Sequence, residues 1–102
     1  MISQEIYLEK YDWRILVFYG LKEADTDEVC NSLVQIGCTE KAVESAREHC
    51  LRGMPNTGLT YSNLAGRKSV VAVSRTTSEY EFVNTVTHEM FHVVTHICES
   101  LG

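Results

Sequence analysis

SEYEFVNTVTHEMFHVVTHICESL, Ser78 to Leu101, carries the pattern from which the rest of the chain is read. Ser78 and Glu81 have the spacing of a capping box, and the residues after them predict one long helix. Each helical residue advances about 100°, so His88 and His92, four apart, share a face and lie about 6 Å apart along the axis. With His88 at zero, Phe82, Val86, Met90, Val93, Val94, Ile97 and Leu101 fall in an arc of about 120° to 240°, whereas His92, His96 and Glu99 fall between about 20° and 80°. The apolar arc is expected to pack on a sheet. His88 and His92 would then face a cleft, with Glu89, at about 100°, on the border.

His88-Glu89-Met90-Phe91-His92 is an H-E-x-x-H sequence. Two neutral imidazoles one turn apart suit a Zn²⁺ ion, the ion lowers the pKa of a bound water towards neutrality, and the carboxylate beside the first histidine can take that water's proton. The spacing thus points to metal-assisted hydrolysis, with His88 and His92 as metal ligands, Glu89 as the catalytic base and Zn²⁺ as cofactor. The plain alternative is an amphipathic helix whose polar face happens to hold two histidines and a solvated glutamate.

With 102 residues the chain has the size of one domain and room for one sheet and a few helices. Its 44% hydrophobic and 23% charged residues are ordinary for a soluble globular protein, and a net charge of −5 argues against nucleic acid or an anionic membrane as partner. The N-terminus, MISQEIYLEKYD, lacks the basic start and apolar run of a signal peptide, and the longest apolar stretch, Ile15 to Tyr19, is too short to span a bilayer. A cytoplasmic location is expected. Cys30, Cys38, Cys50 and Cys98 form no C-x-x-C pair, so they are expected to be free thiols that behave as small hydrophobes.

In chain order, Ile6 to Leu21 is rich in β-branched and aromatic residues, and Trp13 to Tyr19 predicts a well-buried strand ended by Gly20. Asp25 or Thr26 caps a first helix with Val29, Leu33 and Ile36 at helical spacing, closing at Gly37. Thr39 caps a second helix that stops at Gly53, and His49 near its end reads as a surface residue favoured by the helix dipole. Leu59 to Asn63 and Ser69 to Arg75 predict a hairpin around Ala65-Gly66, and the continuous run Val70 to Val73 suits a strand covered on both faces. The expected order is β-α-α-β-β-α, an α+β fold in which the helices cover one face of a small mixed sheet and the motif lies on the last helix. The sheet edge and the histidine face should be neighbours, so that an extended peptide could add as a strand beside the site.

From Leu59 to Leu101 the chain resembles the zincins, the metallopeptidase superfamily defined by H-E-x-x-H on an active-site helix, and most of all the small minimal zincins of bacterial and phage genomes. The resemblance implies a peptide or protein substrate, zinc on His88 and His92, Glu89 as general base, and one of the two earlier helices as a support for the motif helix. The match departs at the third ligand. Gluzincins take it, usually as Glu, from a further helix, and metzincins from the last histidine of H-E-x-x-H-x-x-G-x-x-H; here position 95 is Thr95 and no further helix follows.

His96 is the best remaining third ligand, although a straight helix sets it about 12 Å from His88 along the axis, so that a kink would be needed. Orienting another ligand is its other role, and Glu99 lies farther still. An ending at Ser100-Leu101-Gly102, just past an apolar helical position, fits a truncated domain, with Gly102 as a helix C-cap the other reading. Two further functions stand beside the peptidase. One is a zincin-like module that binds a partner without turnover, motivated by the short ligand set. The other is a pH-sensitive contact, since His88, His92 and His96 would repel one another on charging near pH 6.

Overall fold

The computed structural model describes Met1–Gly102. Strand β1 (Ile2–Leu8) and strand β2 (Trp13–Leu21) precede helices α1 (Thr26–Gln35) and α2 (Glu40–Arg52); strands β3 (Gly58–Asn63) and β4 (Lys68–Ser74) then lead into helix α3 (Glu79–Leu101). The four strands form one mixed sheet in the order β1-β2-β4-β3. β1 runs antiparallel to β2 with Leu8 opposite Trp13, β2 runs parallel to β4, and β3 runs antiparallel to β4 with Gly58 opposite Val73. The fold is α+β, as the sequence led us to expect, but its element order is β-β-α-α-β-β-α.

The additional strand is β1. Of its residues ISQEIYL only Ile6 and Leu8 are half-buried, against the core on the α3 side, too short a stripe from which to read a separate strand. It is an outer strand, held by its ladder to β2 and by a turn in which Asp12 takes a left-handed conformation (φ 49°).

The helices lie on both faces of the sheet, which corrects the expectation of a single covered face. Period-two alternation in β2 and β4 sorts the core. Phe18, Val70 and Ala72 point to one side and pack with Val29 and Leu33 of α1, and with Ala46 and Cys50 of α2. Trp13, Ile15, Val17, Val71 and Val73 point to the other side and meet Val93 and Ile97 of α3. The unbroken apolar run Val70 to Val73 needs both covers, because either face alone would leave half of it in water.

Helix ends follow local chemistry. Thr39 Oγ1 accepts the Ala42 N–H at 3.2 Å, and Gly53 supplies the left-handed end of α2 (φ 62°). Ser78 Oγ accepts the Glu81 N–H at 3.1 Å, the expected cap of α3. All four cysteines are free thiols; Cys30 and Cys50 are buried, and burial pushes the Cys50 thiol up to about 11. No helix is long and apolar enough to cross a membrane.

Helix α3 is rotated from the orientation its apolar arc suggests. Its buried residues are Thr85, Glu89, Val93 and Ile97, a stripe at four-residue spacing, whereas Phe91, Val94 and Leu101 are 69%, 56% and 60% exposed. The buried arc runs from about 60° to 180° on the scale used above. Glu89 therefore lies inside the interface with the sheet instead of on its border. The cause is β3. Its Leu59 and Tyr61 pack towards α1 and α2, where the Tyr61 hydroxyl meets Ser45 Oγ at 3.1 Å, so that Thr60 and Ser62 face α3 and need polar partners there.

Candidate active site

β3 is the outer strand on its side of the sheet, so the backbone groups on its free edge lack a strand partner. The edge exposed in this way is that of β3, and not that of β4, which is central. Residues from both helical layers converge on it. A hollow of about 290 Å³ is lined by Gly58, Leu59, Thr60 and Tyr61 of β3, by His88, Glu89, His92 and His96 of α3, and by His49 of α2. A second hollow of about 340 Å³ continues past the start of β3, with His49, Gly58, His88 and Glu89 again in its wall and Thr85 added. All four histidines of the chain thus border one cleft.

Its centre is the pair expected from the sequence. His88 Nε2 and His92 Nε2 are 3.1 Å apart, with ring centroids at 4.7 Å and planes at 88°. Both side chains are exposed, and the two Nε2 atoms are at hydrogen-bond distance, one ring N–H donating to the other ring's lone pair. Two nitrogens bound to one tetrahedral Zn²⁺ at 2.0–2.1 Å would lie about 3.3 Å apart, so the separation of the pair matches that of two ligands of one cation, with both lone pairs turned to the ion in place of the proton they share.

Glu89 is only 5% exposed, and its position is made by β3. Thr60 Oγ1 donates to Glu89 Oε1 at 2.8 Å and approaches the Glu89 carbonyl at 3.3 Å. Gly58 leaves the room: a Cβ there would lie 2.8 Å from Glu89 Cγ and 3.0 Å from Oε2. Oε2 has no hydrogen-bond partner, and no buried side-chain oxygen in the molecule lacks one, so Oε2 opens to the cleft. The two ion pairs of the chain, Arg14–Glu5 and Arg47–Asp27, both lie elsewhere. A buried carboxylate with no lysine or arginine beside it is an uncommon choice, and one that a bound cation would balance.

His96 is half-buried and its Nδ1 contacts Ser62 Oγ at 2.6 Å. Glu99 is exposed. No three His, Cys, Asp or Glu side chains come close enough to hold one metal ion, so His88 and His92 stand as a pair.

His49, Gly58 and Thr60 line the cleft, Ser62 stands behind it on His96, and the sequence pattern marks none of the four. His49 arrives from the opposite face of the sheet by flanking the free edge of β3, a juxtaposition set by topology. Thr60 and Ser62 left a faint signal, two hydroxyls at strand spacing opposite apolar Leu59 and Tyr61. Comparison with family models, with curated proteins and with solved structures finds no match.

Proposed function

We propose that the chain is a zinc-dependent hydrolase of the peptidase type. The observation that carries this reading is the convergence of His88 Nε2 and His92 Nε2 to 3.1 Å beside a buried carboxylate that has no cationic partner. It agrees with the zincin resemblance of the motif, placed on α3 against an outer strand. His88 and His92 would hold the ion, with solvent or a further donor at its other positions. A Zn²⁺ there supplies Lewis acidity towards a carbonyl oxygen and lowers the pKa of water.

The residues of the chain supply the rest. The Thr60 hydroxyl fixes one oxygen of Glu89, so the other, Oε2, is turned to the cleft and takes a proton from the attacking water. The water oxygen bonds to the amide carbon, the carbon–nitrogen bond breaks, and Glu89 returns the proton to the leaving amine. The free edge of β3 offers backbone donors and acceptors to an extended peptide, which would lay its amide along the histidine flank of α3.

The test is a zinc titration of the 102-residue chain followed by assay on a mixed peptide library. One zinc per chain is expected, with thermal stabilisation of about 2.7 kcal/mol when free zinc is 100 times Kd. His88→Ala and His92→Ala should each abolish retention, and Glu89→Gln should keep zinc but lose hydrolysis. A wild-type chain that binds no more zinc than the double histidine variant would overturn the proposal.

A second reading, a zincin-like module that binds a partner without turnover, is favoured by the two-residue ligand set. It predicts that partner binding survives His88→Ala together with His92→Ala.

A further inference from the structure

A file of four side chains runs from the core to the cleft. Trp13 Nε1 donates to Ser69 Oγ at 2.9 Å; Ser69 Oγ and Ser62 Oγ are 2.6 Å apart; Ser62 Oγ and His96 Nδ1 are 2.6 Å apart. Trp13 and Ser69 are each 1% exposed. An indole N–H can only donate, so it sets the direction of the whole file.

Ser69 accepts from Trp13, and its own proton has one acceptor within reach, Ser62 Oγ. Ser62 in turn passes its proton to His96 Nδ1, and every donor is then satisfied. Two other orders put the proton on Nδ1: if Ser62 donates to Ser69, the Ser69 proton is left without an acceptor in the dry interior, and if Ser62 accepts from both neighbours, its own proton has no protein acceptor within reach. His96 Nδ1 is therefore an acceptor, and the neutral ring carries its proton on Nε2. That nitrogen has no protein partner, and since no buried side-chain nitrogen lacks one, Nε2–H faces the cleft that His96 lines together with Thr60, Glu89 and His92.

We infer that Trp13, Ser69 and Ser62 lock His96 as a neutral Nε2–H donor aimed into the cleft, where it recognises an oxygen acceptor of the bound ligand, the carbonyl oxygen of an amide. With Nδ1 occupied and Nε2 protonated, His96 offers no lone pair to a cation. Its role towards a scissile amide rests on the hydrolase reading, because the carbonyl oxygen gains negative charge as water attacks and a fixed donor then binds it more strongly. The tautomer itself does not rest on that reading.

Two measurements test this separately. Long-range nitrogen–proton NMR on the metal-free, uniformly ¹⁵N-labelled chain at pH 8 should show His96 as the Nε2–H tautomer. Ser62→Ala and Ser69→Ala should each release it to a mixture, and Ser69→Ala should also shift the indole N–H resonance of Trp13. An Nδ1–H ring in the wild type, or a tautomer unmoved by Ser62→Ala, would overturn the lock whatever the activity of the protein. In the zinc-loaded chain, His96→Ala should lower kcat about 100-fold with zinc affinity and KM little changed, and His96→Gln, which keeps an N–H donor, should recover part of the loss. A fall in zinc affinity as large as that of His92→Ala would make His96 a ligand and refute the inference. A wild type without zinc or turnover would sink the hydrolase reading alone, leaving the NMR result to decide the lock.

Discussion

The two faces of the sheet are built from different material. Under α1 and α2 the core is made by Phe18, Leu21, Val29, Leu33, Ala46, Cys50, Leu59, Val70 and Ala72, and the buried hydroxyls there, Thr26 and Ser32, donate only to carbonyls of the preceding turn, Glu23 and Glu28. Under α3 the half nearer β2 is equally apolar, with Trp13, Ile15, Val17, Val73, Val93 and Ile97, but the half over β3 holds Thr60, Ser62, Ser69, Thr85, Glu89 and His96. Polar groups set into an interior add little net stability even when fully paired, and they are costly when a partner is lost. A fold that needed only to be stable would have filled the β3 end of α3 as it filled the other face. The contrast puts most of the apolar packing in the α1 and α2 layer and the buried polar side chains at the outer strand under α3, where the proposed chemistry would lie.

The largest expected effect belongs to the apolar face. Leu33 is 0% exposed within its cluster, so Leu33→Ala should cost about 3 kcal/mol through lost transfer energy and a residual cavity, lowering Tm by roughly 15 °C. Urea unfolding followed by the fluorescence of Trp13, the single tryptophan, measures it. A loss below about 1 kcal/mol would mean that this layer is loosely packed, and the contrast between the faces would weaken.

Gly58→Ala comes next and probes the other face. The new Cβ would meet Glu89 Cγ at 2.8 Å, and Glu89 is tethered by Thr60, so the carboxylate or the strand must give way. A cost of about 1–2 kcal/mol is expected, together with lost hydrolysis. The steric cause is checked by a double-mutant cycle: in a Glu89→Ala background the same substitution should be nearly neutral, a coupling of about 1 kcal/mol or more. Additive effects would place the cost in the strand backbone and not in the seat of the carboxylate.

Much of this was legible beforehand because it depends on near neighbours in the chain. Thr39, Gly53 and Ser78 mark helix ends by local hydrogen bonding, Leu59 to Asn63 by alternation and Ser69 onwards by a continuous apolar run mark the strands of a hairpin, and His88 and His92 meet because a helix puts them one turn apart. What escaped depends on residues far apart. β1 offers only Ile6 and Leu8, half-buried against the core on the α3 side, so its ladder with β2 does most to make it a strand. The rotation of α3 is hidden because its apolar residues, from Phe82 round to Phe91, span about half of the helix, wider than the stripe that packs, and the choice among them is made by Thr60 and Ser62 on a strand read separately. His49 reads as a surface residue for the same reason: nothing within α2 announces that the free edge of β3 brings it into the same cleft as His88.

The smallest effect is also the most discriminating, because its sign divides function from structure. Glu89→Gln keeps the shape of the side chain and an oxygen for the Thr60 hydroxyl, but removes a buried charge that neither ion pair of the chain balances. If Glu89 serves chemistry, the metal-free chain gains about 1 kcal/mol at pH 7, because the desolvation cost of the carboxylate disappears while the hydrogen bond remains. If Glu89 is instead a strut between α3 and β3, the same substitution destabilises, since a charge-assisted bond becomes a neutral one. Urea unfolding of the two proteins in a chelating buffer decides between them. The zinc-loaded comparison should run the other way: the wild type should recover its deficit on binding a cation beside the carboxylate, and the glutamine variant should gain less from the same metal.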